Sequence, residues 1–248
     1  MLAIDVDPQG QLGKVLGVDV GRSPRSSLEL LVDTLLGGPT EPPAPDARAA
    51  GEGGGALPIT RTRIPNLDLV VADKALGLFP MWEGAGPDPT GRLERALRRA
   101  RDLRDYDFVL FDAPPSFGPL TLNVLRAAEE LVVPVPLTFL ALDGCAELER
   151  SVRSVRMRHG HARLRIAMVV PTFYRRTRLA HEVLERLKTR FPKEIAHTVV
   201  GFHVKIDEAQ SRGLSIFEYA PDDRGARAMA ALAEELELRG APPEAGDA

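Results

Sequence analysis

Ten consecutive residues constrain this chain most: Tyr106-Asp107-Phe108-Val109-Leu110-Phe111-Asp112-Ala113-Pro114-Pro115. An apolar run of strand-forming residues ends on a carboxylate, and two prolines, which lack a main-chain donor, stop the strand at once. In an open α/β sheet, ligands bind beyond the carboxyl ends of the strands, which is where Asp112 falls. A carboxylate there can hold Mg²⁺ beside a nucleotide phosphate, or it can merely cap a buried strand. Taken alone, the stretch supports both readings.

The rest of the chain alternates strands and helices, which predicts one large, mostly parallel, doubly wound α/β sheet with helices on both faces. Leu67–Ala72, Leu131–Pro136 and Leu164–Thr172 are the further strands, and Met1–Ile4 is a strand fragment. Helices are expected over Ser27–Leu36, Arg92–Arg104, Val124–Leu131, Leu140–Arg158, Thr177–Arg190 and Ala226–Leu238. Residues 39–56 are Pro, Gly, Ala and acid, a composition that cannot bury a core and reads as a flexible insertion. The domain thus runs over 1–239, and an acidic, Pro-containing tail occupies 240–248. The 248 residues carry a net charge of −3, which does not suggest a wholesale nucleic-acid coat. Cys145 is the single cysteine, which excludes an intrachain disulfide or cysteine cluster and marks it as a small buried hydrophobe. No run approaches the length of a membrane span, and no signal segment opens the sequence.

The amino-terminal strand runs into Asp5-Val6-Asp7-Pro8-Gln9-Gly10, two carboxylates at a strand end followed by a turn signal. The following Gly10-Gln11-Leu12-Gly13-Lys14 is not a phosphate loop. Pro8 stands where the first glycine of G-x-x-x-x-G-K-[ST] belongs, and Val15 replaces the hydroxyl residue. Gly13 and Gly17 are expected to be loop glycines, and Gly51–Gly55 has no Lys-Ser/Thr after it.

After Asp112 comes Ser116-Phe117-Gly118-Pro119-Leu120-Thr121-Leu122-Asn123. The whole block resembles the Walker B region of the ParA/MinD-type deviant-Walker P-loop ATPases, which reads Y-D-hydrophobics-D-x-P-P-S-x-x-x-x-T-x-N. Asp5 to Gly10 resembles the D-x-D-P-Q-G segment of the same family. Val204 to Gly213 and Tyr219 to Ala226 resemble its closing segments, although Gly201-Phe202-His203 departs from the P-x-N found in many members. His203 itself is expected to be a plain loop or core histidine.

The resemblance implies that Asp5 and Asp112 lie at a Mg²⁺ shell, that Asp7 positions the attacking water, and that Pro171 and Thr172 stand beside the base of ATP. It implies a cytoplasmic, nucleoid-associated ATPase of chromosome or plasmid partition, or of cargo positioning. Such a protein forms an ATP-dependent homodimer, binds double-stranded DNA without sequence preference, is stimulated by a ParB-like partner and needs no membrane. Positive side chains suffice for phosphate neutralisation. Ala146–Gly213 holds fifteen Lys/Arg against seven Asp/Glu, which makes Arg175, Arg176, Arg178, Arg212 and Arg224 the candidate DNA contacts. The alternative is that these arginines are only a solvated face.

The Walker A motif occurs nowhere in the sequence. In the family it precedes the D-x-D segment on a strand-loop-helix unit of roughly 30 residues. The expectation is a gene model truncated at an internal start, whose missing strand would leave main-chain groups unpaired in a buried, apolar-lined groove beside the Asp112 strand; a variant adapted to lack the cradle is the alternative. Without the cradle, this chain is expected to be an inactive ATPase. The competing readings are a non-catalytic interaction protein on the same fold and a metabolic relative sharing the core.

Overall fold

The computed structural model describes residues 1–20, 23, 25–32, 56–82 and 88–240. It divides into two compact units, Met1–Ala128 and Glu129–Ala248.

In the first unit, β1 (Leu2–Asp5) lies at the centre of a four-stranded sheet of order β2-β3-β1-β4, with β2 at Thr60–Arg61, β3 at Asp68–Val70 and β4 at Val109–Asp112. β1 is parallel to both of its neighbours, whereas β2 is antiparallel to β3. A strand flanked on both sides and covered on both faces should be apolar throughout, and β1 is fully buried. Alternation sends Leu2 and Ile4 to one face, against Leu31, Phe79, Leu93 and Val124, and Ala3 to the other, with Leu16, Leu69 and Val71. Helices α1 (Gln11–Val15), α2 (Ser27–Val32), α3 (Arg92–Arg99) and α4 (Pro119–Ala127) complete the unit.

The sheet ends at β4, which pairs with β1 and with no other strand among the described residues. Parallel strands normally sit under cover, yet Phe108 and Leu110 are 52% and 45% exposed. β4 is an open apolar edge.

In the second unit, β5 (Glu130–Pro136) and β6 (Arg165–Thr172) pair in parallel over seven positions. α5 (Ala141–His159) and α6 (Arg178–Arg190) supply an apolar cluster that packs on Val135 and Val169. α9 (Arg224–Gly240) brings Leu232 and Leu236 against Met168 and Val170. The outer edge of β6 is occupied by the segment after α6. Val169 donates to the Glu194 carbonyl, Ala196 donates to Val169, and Val200 donates to Pro171. α7 (Val204–Ser211) and the short α8 (Ile216–Tyr219) lie between that segment and α9 in the chain.

Several sequence expectations change. Gly13 lies inside α1, and Gly17, at φ 68°, is the loop glycine of the pair. The helix expected over Val124–Leu131 begins earlier, at Pro119, and is over by Ala127, because Glu130 and Leu131 are already paired with Arg165 and Ile166. The helix expected to run to Arg104 stops at Arg99, and Asp102–Asp105 form a 3-10 turn. The helix from Ser27 is described as far as Val32. The insertion at 39–56, apart from Ala56, and the tail after Gly240 lie outside the described residues. Among the described residues, no helix is long and apolar enough to cross a membrane.

Candidate functional site

Asp5 and Asp112 are the last residues of adjacent parallel strands and stand directly opposite each other in register. Registered neighbours direct their side chains to the same face of a sheet, so the two carboxylates share one site at the carboxyl ends of β1 and β4. Val6 extends the pairing by donating to the Asp112 carbonyl at 2.9 Å. The chain then turns. The Asp7 amide donates to Asp5 Oδ1 at 3.0 Å, and the Gln9 amide donates to Asp7 Oδ1 at 2.9 Å. Gly10 closes the turn by donating to the Asp7 carbonyl from a left-handed conformation, φ 57°, which favours glycine.

Asp5 is fully buried, and its Oδ2 has no hydrogen-bond partner among the described residues. A buried carboxylate oxygen without a donor is costly. Burial first, and then the Asp112 carboxylate, push the Asp5 pKa up from 3.8 to about 6, against the pull of the Asp7 amide. Asp112 stands at the open edge and is exposed, but partial desolvation and then the Asp7 carboxylate raise its pKa as well. The three acids therefore form one electrostatic cluster with a buried floor and an open mouth.

Hard oxygen donors with an orphaned charge suit Mg²⁺, which takes one or two carboxylates and completes its octahedron with water and phosphate oxygens. No larger group of metal-ligating side chains that could hold an ion by itself occurs among the described residues. The G-x-x-x-x-G-K-[ST] cradle does not occur in this sequence.

The remaining residues of the Walker B-like block hold the site in place, a role that sequence reading did not assign to them. Thr121 Oγ1 donates to the Ser116 carbonyl at 2.5 Å, tying the loop after β4 to α4. Asn123 is fully buried and makes three bonds. Its Oδ1 accepts from the Leu93 amide, and its Nδ2 donates to the carbonyls of Pro89 and Pro119. Tyr106 donates at 2.6 Å to Asp68 on β3, which also pairs with Arg61, and burial followed by the Asp68 carboxylate pushes the phenol up to about 12. A polar residue at a fixed offset from an active strand could have signalled such anchors.

The other candidate residues lie in the second unit. Pro171 and Thr172 end β6, and their carbonyls accept from Val200 and Leu137. Next comes Phe173, 55% exposed and at φ 54°, a strained backbone position for an aromatic residue. Its ring lies 6.3 Å from that of Phe202, over which Arg175 stacks at 4.4 Å. Sequence reading missed this aromatic pair, since apolar residues in loops do not announce exposure. His203 packs against Gly225, where an added Cβ would meet Asp223 Oδ1 at 3.1 Å and the His203 Cβ at 3.2 Å. Arg175 and Arg224 thus adjoin contacting residues. Arg178 pairs with Glu182, Arg212 stacks over Tyr219 at 5.2 Å, and Arg176 makes no ion pair among the described residues.

Carboxylates gathered at the carboxyl ends of a mostly parallel α/β sheet stand where doubly wound folds bind their ligands. The family described as AAA domain matches residues 1–166. Chromosome-partitioning ATPase Soj of Thermus thermophilus is 38% identical over 240 residues, which cover 96% of this chain and 84% of that protein. Chromosome partitioning protein ParA of Caulobacter vibrioides is 33% identical, with 95% of this chain and 82% of that protein covered. Among solved structures, cobyrinic acid a,c-diamide synthase from Mycobacterium smegmatis with bound ADP and magnesium matches at 30% identity and a TM-score of 0.60, over 76% of this chain and 69% of that one. The chain belongs to the ParA/MinD-type family of P-loop ATPases.

Proposed function

We propose that this chain is a segregation or positioning ATPase by descent, in which both units act as one domain. The observation that supports this most directly is the orphaned, fully buried Asp5 Oδ2 beside Asp112. Asp5 and Asp112 hold Mg²⁺, and Asp7, fixed by its turn, orients a water molecule. Mg²⁺, when bound, neutralises charge on phosphate oxygens. Pro171 and Thr172, with the neighbouring Phe173, face the base. Arg175, Arg176, Arg178, Arg212 and Arg224 contribute a sequence-indifferent DNA surface, which acts in an ATP-dependent homodimer stimulated by a ParB-like partner at the nucleoid.

Lacking the phosphate cradle, the chain binds Mg·ATP weakly and does not turn it over. Phosphate release and binding of a fluorescent ATP analogue, each with and without Mg²⁺, test this. Turnover abolished by Asp112→Ala would sink the inactive reading. Retention of Mg²⁺-dependent thermal stabilisation by an Asp5→Asn/Asp112→Asn variant would sink the metal assignment.

The DNA surface is tested in a form of the protein that carries a phosphate loop. Affinity should fall steeply with salt, and replacing Arg175, Arg176 and Arg178 with Glu should weaken binding to every duplex alike. Binding confined to one short sequence would argue against it. A second reading, a non-catalytic interaction protein, is favoured by the missing cradle. It predicts normal partner binding by the Asp112→Ala variant.

A further inference from the structure

A cavity of about 680 Å³ lies wholly within the second unit, formed by the later turns of α5, the start of β6 and the end of α6. Arg165, on its wall, opens β6, so the cavity stands at the amino end of that strand, whereas Thr172 and the exposed aromatic pair follow its carboxyl end. The carboxylate cluster of the first unit contributes nothing to it. The volume is that of an ordinary ligand pocket.

Four guanidinium groups and two carboxylates line it. Arg190 is engaged by Glu149, and Arg165 by Glu130. Arg153 and Arg156 make no hydrogen bond or ion pair among the described residues. They are three residues apart on α5 and so lie on one face of the helix. Beside them Met157 is 79% exposed, and behind them Val152 and Phe191 form a buried apolar floor. Among the described residues the site therefore offers two uncommitted cations against one uncommitted carboxylate, Glu194, above an apolar floor whose Phe191 ring lies 5.8 Å from the Arg190 guanidinium, and it carries a positive surplus even after its internal pairs are formed.

From this complementarity we propose that the cavity docks a partner-protein segment in which acidic residues flank an apolar side chain. The apolar side chain fills the space over Val152 and Phe191, and the carboxylates meet Arg153 and Arg156. Duplex DNA fits less well, because its phosphates track a convex rod and present nothing to cover an apolar floor. Arginine also suits the task, since its planar fork pairs carboxylates in bidentate fashion.

The test uses the full chain and a fluorescein-labelled synthetic peptide that alternates Glu and Leu, read by fluorescence anisotropy at fixed ionic strength. Binding should saturate, and it should weaken by about tenfold or more in Arg153→Gln/Arg156→Gln. It should be unchanged in Arg175→Glu/Arg176→Glu. All four positions are exposed, and matching thermal melts will confirm that the variants fold. A peptide of the same charge with Ser replacing Leu should bind clearly less well. The proposal is overturned if the wild-type chain does not bind, if the Arg153/Arg156 variant binds equally, or if the Ser peptide or a short duplex competes as well as the Leu peptide.

Discussion

Two carboxylates, fully buried Asp5 in the first unit and half-buried Glu235 in the second, have opposite environments. Glu235 accepts from the amides of His197 and Thr198 at 2.8 and 3.0 Å and from the Arg239 guanidinium at 2.7 Å. Burial alone would raise its pKa, but those donors and the Arg239 charge outweigh it and hold the group below the usual glutamate range. Asp5 accepts the Asp7 amide, feels a weaker pull from the Leu12 amide, keeps one bare oxygen and has two acids for neighbours, and its pKa is raised. Arg239 also donates to the carbonyls of Glu194 and Ile195, so Glu235 joins α9 to the strand-like segment beside β6. Glu235 stabilises its unit as an anion; Asp5 destabilises its own. A charge kept at the expense of stability is the pattern expected where a ligand is meant to complete the site.

The largest expected effect is on pH dependence. An acid whose folded pKa is raised binds its proton more tightly folded than unfolded, so stability should fall as pH rises from about 4 to about 6. The cost at neutral pH is of order 3 kcal/mol. Denaturant unfolding of the wild-type chain and of Asp5→Asn across that range should give curves that diverge as pH rises, with the variant losing the fall. Parallel curves would remove the contrast with Glu235. Mg²⁺ should restore wild-type stability above pH 6 and leave Asp5→Asn unmoved.

The sign reverses at Glu235. Its stabilisation is complete above the ordinary glutamate value of 4.5 and is lost as pH falls through the lower folded value. Glu235→Gln should cost about 2 kcal/mol at neutral pH, the scale of charge-assisted hydrogen bonds. The deficit should shrink in acid. A deficit that does not vary with pH would mean that the bonds, and not the charge, matter.

The smallest effect concerns the open edge next to Asp112. Leu110→Lys should change stability by no more than about 0.5 kcal/mol. It should also lower binding of a hydrophobic dye and slow aggregation, because charge on an edge strand opposes edge-to-edge pairing. Unchanged dye binding would locate the sticky surface elsewhere.

Much of this was readable from the sequence because it is local. An apolar run cut off by Pro114-Pro115 can hardly be anything but a strand that delivers Asp112, and Asp5-Val6-Asp7-Pro8 does the same for its own strand. Both carboxylates end their strands. The misread boundaries were set by distant partners. Glu130 becomes strand because Arg165 lies across from it, and Gly13 is helical although its composition suggests a loop.

The sequence by itself determined the strand-and-helix alternation, the carboxylates that end the strands and the absence of a phosphate cradle, since each depends on residue types within a few positions. Only the tertiary structure decided that Asp5 Oδ2 is left without a donor while Glu235 receives three. It alone separated Arg153 and Arg156, which are free among the described residues, from Arg165 and Arg190, which are engaged. Hydrogen bonds and ion pairs act over a few ångströms of space, and the atoms that meet there can lie 45 positions apart in the chain, as those of Arg239 and Glu194 do.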